Sequence, residues 1–278
     1  MKTTGIKYGE SVFILDLVDQ VQRREFEDLL WSTPGNASIE WPPHVARILQ
    51  LVDLCRTAVV ESEYVDTDHR LSYSRLYNLR HADTPRRCTR IHLFACTVSR
   101  KQLDDMPKET SKSYRGFLVI RPLSTDRLGR TILSPELFKK VDDLDVYLTC
   151  RASYEVSLVG NTISFIGVPW MEQEKLVSRC ASAALWIASW HLTHRFRPEF
   201  RLFHTPEITD LATESGSQGL SVTFFIDESS IDIDLARRFS VLLSNVIRYS
   251  RSSSNGFRLK NGHTSKLGFL LFQSPIQW

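Results

Sequence analysis

The residue whose setting best suits covalent chemistry is Cys180. It lies about one turn into a predicted helix over Lys175–His194, which follows Pro169 and a short segment. The amide groups in the first turn of a helix carry a partial positive charge that stabilises an anion, so a thiol placed there is acidified toward the thiolate. A thiolate of this kind attacks carbonyl carbons in acyl-transfer reactions. Cys180 is therefore the first candidate for a catalytic residue.

The sequence around Cys180 resembles that of papain-like cysteine peptidases, including the bacterial peptidases that trim bacteriocin leaders. The similar stretch runs from Gln173 to Trp186 (QEKLVSRCASAALW), with a glutamine before the cysteine and small residues and an aromatic after it. In those families the glutamine helps to form the oxyanion hole and the cysteine opens the central helix. The resemblance implies that Cys180 is the nucleophile and that Gln173 and the Cys180 amide stabilise the developing oxyanion.

The same resemblance implies a histidine at the head of a downstream strand, oriented by an asparagine or aspartate. His263 precedes the apolar run Leu267–Phe272 and is the candidate base. The 15 residues after His263 contain neither Asn nor Asp, so Gln273 is the substitute, or the site is a Cys/His dyad. His204, in a loop before Thr205, is the second candidate for the base. The implied substrate is a peptide or a protein.

A second hypothesis assigns no chemistry to Cys180. Cysteine is among the most buried residue types, and Cys180 is followed by alanines in an apolar helix. The chain would then be a non-catalytic interaction protein, or a degenerate peptidase fold, that binds a protein partner. An exposed Cys180 beside His263 would separate the first hypothesis from the second. At this level it stays open whether the chain is an enzyme.

Two groups that contain histidine are candidates for a metal site. Cys88, His92 and Cys96 share one face of a predicted strand, but neighbours four residues apart on a strand are about 13 Å apart, too far for one zinc ion. His191 and His194 share one helix face without a nearby acid or cysteine, and on the Cys180 helix they lie too far along the axis to act as its base. We therefore predict neither a metal nor a cofactor.

Two polar stretches of the first half are further candidates. Residues 61–70 hold four carboxylates and a histidine, which suits a divalent cation, but the pattern of a calcium loop is missing and a solvated turn is favoured. Residues 70–90 place Tyr73 and Tyr77 among several arginines, a composition typical of single-strand nucleic-acid grooves. Core tyrosines with surface arginines are favoured, so nucleic-acid binding is the third and least favoured hypothesis.

Composition limits the classes of protein to which this sequence can belong. The chain has 278 residues, 42% hydrophobic and 24% charged, with a net charge of +3, which excludes whole-chain disorder and gives no strong electrostatic footprint for nucleic acid. The longest nearly uncharged apolar stretch, Cys180–Trp190, is about half the length of a membrane span. Asp16 interrupts the apolar run Val12–Leu17, so a signal peptide is not predicted. An odd number of irregularly spaced cysteines predicts a reducing, cytoplasmic location: Cys55, Cys88, Cys96, Cys150 and Cys180.

Hydrophobic periodicity predicts helices before strands in the first half. One helix is predicted within Val12–Leu30, and a second after Pro43 that reaches Leu54, with an extension through Val60 left open. Strands are predicted at Arg90–Val98 and Tyr114–Arg121, with a polar loop over Asp104–Ser113. A hairpin joins Val146–Val159 to Thr162–Val168 through a type II′ turn at Gly160-Asn161.

The second half mixes helices and strands. The helix with Cys180 is apolar on nearly all sides, which predicts that it is enclosed in the protein. Thr205-Pro206-Glu207 opens a short helix, Leu220–Ile226 is a strand and Asp232–Ser250 is a helix. This order predicts an α+β fold. Residues 1–165 would form an accessory or recognition region of mixed helix and strand, and residues 166–278 a papain-like domain. In the alternative division, the hairpin strands belong to the second half.

Overall fold

The computed structural model describes residues 4–8, 11–31, 43–75, 77–79, 84–123, 127–138, 148, 150–172, 180–195 and 202–208. Three elements predicted from the sequence lie outside these residues. They are the strands Leu220–Ile226 and Leu267–Phe272 and the helix Asp232–Ser250.

An eight-stranded antiparallel sheet is the centre of the fold. Neighbouring strands follow the order β1-β2-β3-β4-β5-β6-β8-β7, so the chain winds as a meander that ends in a hairpin attached through its second strand. The strands are β1 (Ile6–Lys7), β2 (Val12–Asp16), β3 (Thr57–Tyr64), β4 (Cys88–Phe94), β5 (Tyr114–Ile120), β6 (Leu128–Leu133), β7 (Ala152–Leu158) and β8 (Asn161–Trp170).

Helices lie on both faces of this sheet, so the fold is of the α+β class. Helices α1 and α2 bury Phe26 and Val52 in the core on one face, and α6 buries Trp186 in the core on the other. The helices are α1 (Gln20–Leu30), α2 (Pro43–Val52), α3 (Thr67–Arg75), α4 (Arg100–Asp105), α5 (Lys108–Lys112) and α6 (Cys180–Arg195). None of the helices in the described part of the chain combines the length and hydropathy that a bilayer crossing needs.

The central strands bury side chains on both faces. On β3, Ala58 and Val60 enter the core beneath α1 and α2, whereas Val59 enters the core beneath α6. Successive side chains of a strand point to opposite faces, so a strand covered on both sides has a continuous apolar sequence. The hairpin β7–β8 closes over the α6 side, where Arg90 donates to the Ser157 carbonyl at 2.8 Å.

The predicted helix over Val12–Leu30 is wrong in its first part. Val12–Asp16 is strand β2, which pairs with β3 along its whole length. The helix α1 begins at Gln20 because the Asp19 carboxylate accepts hydrogen bonds from the amides of Val21 and Gln22. Pairing with a neighbouring strand outweighs the local helical spacing of the apolar residues.

The other predictions for the first half are confirmed in part. Helix α2 exists but ends at Val52, and Val60 belongs to β3. The strands predicted near residues 90–98 and 114–121 are confirmed as β4 and β5. The predicted loop over Asp104–Ser113 is wrong, because it holds the end of α4 and all of α5. Ser99 and Gln102 form a capping box that starts α4.

The hairpin is confirmed, but its turn differs from the prediction. Leu158 pairs with Asn161, so the two turn residues are Val159 and Gly160. Both have positive φ, 49° and 80°, which is the geometry of a type I′ turn rather than type II′. Strand β8 crosses the position of the predicted boundary at residue 165, and the division into 1–165 and 166–278 remains a prediction.

Candidate functional site

Helix α6 carries Cys180 in its first turn, with the backbone of that residue described. Ala183, Trp186, Ser189 and Trp190 are buried, and the positions between them are half-buried. The helix thus lies with one face against the β7–β8 hairpin, and none of its side chains from Ser182 to His194 is exposed. The other two predicted site residues, Gln173 and His263, lie outside the described residues.

A buried carboxylate joins α6 to two other parts of the chain. Asp68 Oδ1, on α3, accepts hydrogen bonds from His204 Nδ1 at 2.9 Å and from Trp186 Nε1 at 3.2 Å. Only 4% of the Asp68 surface is exposed. A carboxylate on Nδ1 fixes the imidazole tautomer and leaves Nε2 as the basic nitrogen. The Asp68–His204 pair therefore has the geometry of an oriented general base.

The charges around His204 favour its protonated form. The hydrogen bond with Asp68 raises the pKa of His204 above its ordinary value of 6.5, and the negative charges of Asp68 and Glu207 act in the same direction. Partial burial and the charge of Arg130 oppose this effect. Glu207 also accepts a hydrogen bond from the His204 amide at 3.0 Å. The imidazolium–carboxylate pair consequently persists to a higher pH than a free histidine would.

Arg130 on β6 forms the neighbouring ion pair. Its Nη2 lies 2.7 Å from Asp66 Oδ1 and donates to the Tyr64 hydroxyl at 2.7 Å. Its guanidinium carbon is 5.1 Å from the ring centroid of Trp190 on α6, within the range of a cation–π contact. Burial alone would lower the pKa of Arg130, but the charge of Asp66 raises it. The strands, α3 and α6 are thus linked by polar contacts inside the core.

The space between these groups is small. A cavity of about 10 Å³ is lined by Asp66, Asp68, Arg130 and Thr205, among others, which is room for about one water molecule. Asp68 Oδ2 and Arg130 Nε are both buried and have no hydrogen-bond partner among the described residues. A substrate does not fit here, so these groups act on structure or on a neighbouring site rather than as a substrate pocket.

A second hydrogen-bond network, Glu61–His92–Tyr114, crosses three adjacent strands. Glu61 Oε2 lies 3.0 Å from His92 Nε2, and His92 Nδ1 lies 2.8 Å from the Tyr114 hydroxyl. Arg90 also donates to Glu61 and stacks over the Tyr64 ring, 4.1 Å from its centroid. A neutral imidazole satisfies both neighbours, since Nε2–H donates to the carboxylate and Nδ1 accepts from the hydroxyl.

Burial and hydrogen bonding set the protonation states of Glu61, His92 and Tyr114. Burial lowers the pKa of His92 to about 4, although Glu61 opposes the effect. Burial by itself would raise the pKa of Glu61, but the hydrogen bonds from His92 and Arg90 lower it to about 2. At neutral pH the Glu61–His92–Tyr114 network therefore holds one carboxylate, one neutral imidazole and one phenol. His92 is fully enclosed, so this arrangement stabilises the sheet and does not contact a substrate.

The metal candidates are separated in the structure. Cys88 and His92 lie on β4, but Cys96 lies beyond the end of the strand, with its Sγ 2.9 Å from Ser113 Oγ. His194 on α6 stacks on Trp190, and its Nδ1 lies 2.8 Å from the Trp190 carbonyl. Within the described ranges, no group of three or more His, Cys, Asp or Glu side chains is arranged to hold a metal ion.

Sequence reasoning missed the role of residues 61–70. They were predicted to form a solvated turn, yet Asp66, Asp68 and His69 are buried, and Glu61 is half-buried. The available signal was four carboxylates at the end of a strongly apolar strand and just beyond it, because acids buried in such a place need cationic partners. Those partners come from distant positions, Arg90, Arg130 and His204, which no local pattern reveals.

Two results from this part of the chain bear on function. Cys180 is in the first turn of α6, and the oriented His204 is held against the same helix through Asp68 and Trp186. No family model, no curated protein and no solved structure matches this chain significantly. Function is therefore inferred from the residues of the chain itself.

Proposed function

We propose that this protein is a thiol hydrolase of the peptidase type, with Cys180 as its nucleophile. The observation that carries the proposal is the position of Cys180 in the first turn of the 16-residue α6. The partial positive charge at that end of a helix favours the thiolate. Trp186 and Trp190 anchor the following turns in the core, so the nucleophile would be held on a rigid element.

The proposed reaction is cleavage of an amide bond in a peptide or protein. The Cys180 thiolate attacks the carbonyl carbon, and Gln173 together with the Cys180 amide stabilises the oxyanion. The C–N bond then breaks as the protonated base, His263, gives its proton to the leaving amine. Water hydrolyses the resulting thioester, which returns the thiol and releases the acid.

The Asp68–His204 pair receives a different role. Asp68 contacts α6 at Trp186, six residues after Cys180, and six residues of helix correspond to a rise of about 9 Å. We therefore assign His263 as the base and His204 as a positioning residue that holds α6 against α3. In the competing assignment, His204 replaces His263 as the base, and the experiment below separates the two.

The proposed setting is a reducing cytoplasm. Cys55, Cys88 and Cys96 are free thiols, with Cys55 and Cys88 buried. Disulfides are rare in reducing compartments, so three free thiols in one chain support this location. If the protein keeps its activity without added reductant, its nucleophile does not depend on a reducing compartment.

The test is peptide cleavage by the full chain and four variants. A mixture of peptides is incubated with protein, and new termini are identified by mass spectrometry. Cys180→Ala is expected to lower turnover by at least about a thousandfold, as removal of a nucleophile does. Cys150→Ala, the matched control, keeps the wild-type rate.

The two histidine variants decide the base. His263→Ala is expected to abolish turnover while leaving the melting temperature unchanged, whereas His204→Ala lowers the melting temperature and keeps the rate of the folded fraction. Loss of chemistry in a folded His204→Ala would transfer the role of base to His204. Cleavage by a folded Cys180→Ala would overturn the proposal, and no cleavage by the wild-type chain would favour the non-catalytic interaction protein.

A further inference from the structure

An open cavity of about 350 Å³ lies between α5 and the start of β8. Small-molecule sites in proteins have volumes of about 300–1,000 Å³, so this cavity, unlike the one beside Asp68, has room for a ligand. It contains none of the residues assigned to the proposed hydrolase. Its lining is formed by Met106, Lys108, Ser111, Lys112, Asn161 and Thr162.

Hydrogen bonds hold both walls of this cavity in place. Asn161 Nδ2 donates to the Leu103 carbonyl at 2.7 Å, which ties the start of β8 to α4. On the other wall, Thr110 is buried beneath α5, and its carbonyl accepts a hydrogen bond from Ser113 Oγ at 2.7 Å. The cavity is therefore built between anchored elements, which is what a preorganised binding site requires.

Helix α5 turns its basic side toward the cavity. Because successive helical residues are about 100° apart, Lys108 and Lys112 lie about 40° apart around the helix axis, with Ser111 beside them and the buried Thr110 on the opposite side. Both lysines are exposed. Like charges four residues apart destabilise a helix, so an anion bound between the two ammonium groups would stabilise α5.

The two lysines of α5 are not neutralised within the described part of the chain. Neither ammonium group forms an ion pair there, and the described lining of the cavity contains no acidic side chain. Among the nearest acids, Asp104 accepts a hydrogen bond from the Tyr8 hydroxyl. Asp105 and Glu109 are exposed and pair with neither lysine. The cavity therefore carries a net positive charge.

The donors in the cavity suit a phosphate group. The hydroxyls of Ser111 and Thr162 form no hydrogen bond with any described residue, so both are available to a ligand. An ammonium group is a point charge without the planar fork of a guanidinium, so a lysine pair does not require a planar carboxylate as its partner. A phosphomonoester carries a charge of about −1.5 to −2 at neutral pH and three strong acceptor oxygens. Its charge and its acceptors match two ammonium groups and two hydroxyls.

We propose that this cavity binds a small molecule that carries a phosphomonoester group. Lys108 and Lys112 pair with the phosphate oxygens, and the Ser111 hydroxyl donates to one of them. The side of the cavity at Asn161 and Thr162 takes the polar remainder of the ligand through hydrogen bonds. The site is measured as binding and does not depend on the proposed hydrolase activity.

The test is an NMR titration of the full, isotope-labelled chain at low salt with ribose 5-phosphate, ribose and succinate. Ribose lacks the phosphate, and succinate is a dianion that carries carboxylates instead. We expect ribose 5-phosphate to shift the amide signals of Ser111 and Thr162, one on each wall, with a Kd of about 1 mM or below. Succinate should bind more weakly, and ribose should leave both signals unmoved.

Two double variants locate the binding. Lys108→Gln/Lys112→Gln removes both charges of the cavity and should weaken binding of ribose 5-phosphate by about tenfold or more. The matched control, Lys7→Gln/Lys101→Gln, removes two exposed lysines that do not line the cavity and should weaken binding less than about threefold. Thermal denaturation followed by circular dichroism verifies that both variants are folded.

Three outcomes would overturn the proposal. They are the absence of saturable shifts at Ser111 and Thr162 with ribose 5-phosphate, binding of ribose or succinate at least as tight as that of ribose 5-phosphate, and equal losses in both double variants. If Lys108→Gln/Lys112→Gln does not fold, the single reversal Lys112→Glu replaces it, with Lys101→Glu as its control. An unchanged affinity in folded Lys112→Glu would likewise overturn the proposal.

Discussion

Asp68 holds two donors from positions far along the chain, Trp186 and His204, which are 118 and 136 residues away. One carboxylate oxygen thus connects α3, α6 and the segment before residue 205. Hydrogen bonds to a buried charged acceptor are stronger than neutral ones, and removal of one partner leaves a buried group unsatisfied. The position of α6 consequently depends on the charge of Asp68.

The first prediction concerns the charge of Asp68. Asp68→Asn removes the negative charge that favours protonated His204, so the pKa of His204 should fall relative to the wild-type protein. NMR titration of the imidazole protons measures it directly. Asp53→Asn, an exposed acid paired with Arg23, is the matched control and should leave the His204 titration unmoved. An unchanged pKa in Asp68→Asn would contradict the assigned contact.

The same pair affects stability with a defined sign. Because the folded protein raises the pKa of His204, the stabilisation is complete below the unfolded value of 6.5 and is lost as pH rises through the folded pKa. Asp68→Asn should therefore lower the free energy of unfolding mainly at pH values below the folded pKa of His204. Urea unfolding of both proteins across the neutral range measures the difference. An equal loss at every pH would show that the pair contributes no charge-dependent stability.

At the scale of elements, the Glu61–His92–Tyr114 chain joins β3, β4 and β5. Below pH 6.5 the unfolded chain takes up a proton at His92, whereas the folded protein does so only near pH 4. Unfolding is therefore favoured by acid, and the free energy of unfolding should fall by roughly 3 kcal/mol across that window. Glu61 adds a further loss as pH falls from 4.5 toward 2.

The matched variant for this prediction is His92→Gln. Its amide can donate to Glu61 and accept from Tyr114 but does not titrate, so the fall in stability between pH 6.5 and 4 should be smaller. Urea unfolding at several pH values compares the two proteins. Identical pH slopes in both proteins would show that His92 is not the neutral, buried group that the geometry requires.

The hairpin turn gives a second prediction at this scale. Val159 has φ 49°, a conformation that a β-branched residue adopts at a cost, and Asn tolerates it better. Val159→Asn should raise the free energy of unfolding by roughly 0.5–1 kcal/mol, because the relief of backbone strain exceeds the packing of Val159 that is lost. Gly160→Ala, at φ 80° with open space around it, should lower it by about 1 kcal/mol. Thermal denaturation measures both, and stabilisation by Gly160→Ala would contradict the turn assignment.

Local sequence patterns predicted some of the helices and strands correctly and others wrongly. The β7–β8 hairpin and the strands β4 and β5 were predictable, because runs of branched and aromatic residues and a two-residue turn are local signals. Val12–Asp16 was predicted as helix, since its pairing with β3 depends on residues more than 40 positions away. For the candidate site, the sequence pointed to Cys180 and to His204, and the role of Cys180 stays a prediction. The partners of Asp66 and Asp68 are set by the folded sheet and leave no trace at fixed spacing.

For the whole molecule, α6 and the sheet share one core. Trp186 is fully buried among residues of β4, β5, β7 and β8, and its indole N–H donates to Asp68. Trp186→Ala should lower the free energy of unfolding by about 3–5 kcal/mol. Trp186→Phe keeps most of the packing and loses the hydrogen bond, so its cost should be about 1–3 kcal/mol. Denaturant unfolding ranks the two variants, and equal stability of Trp186→Ala and the wild-type protein would contradict this packing.

The most direct test of the proposed function is the rate at which iodoacetamide alkylates each cysteine of the folded protein as pH is varied. Peptide mass spectrometry follows the cysteines separately. Cys55 and Cys88 serve as internal controls, because burial raises the pKa of each to about 12. We expect Cys180 to react first, with a midpoint well below the unperturbed thiol value of about 8.5. If Cys180 is as inert as Cys55 and Cys88 in the folded protein, it is a packing residue and the thiol-hydrolase proposal is wrong.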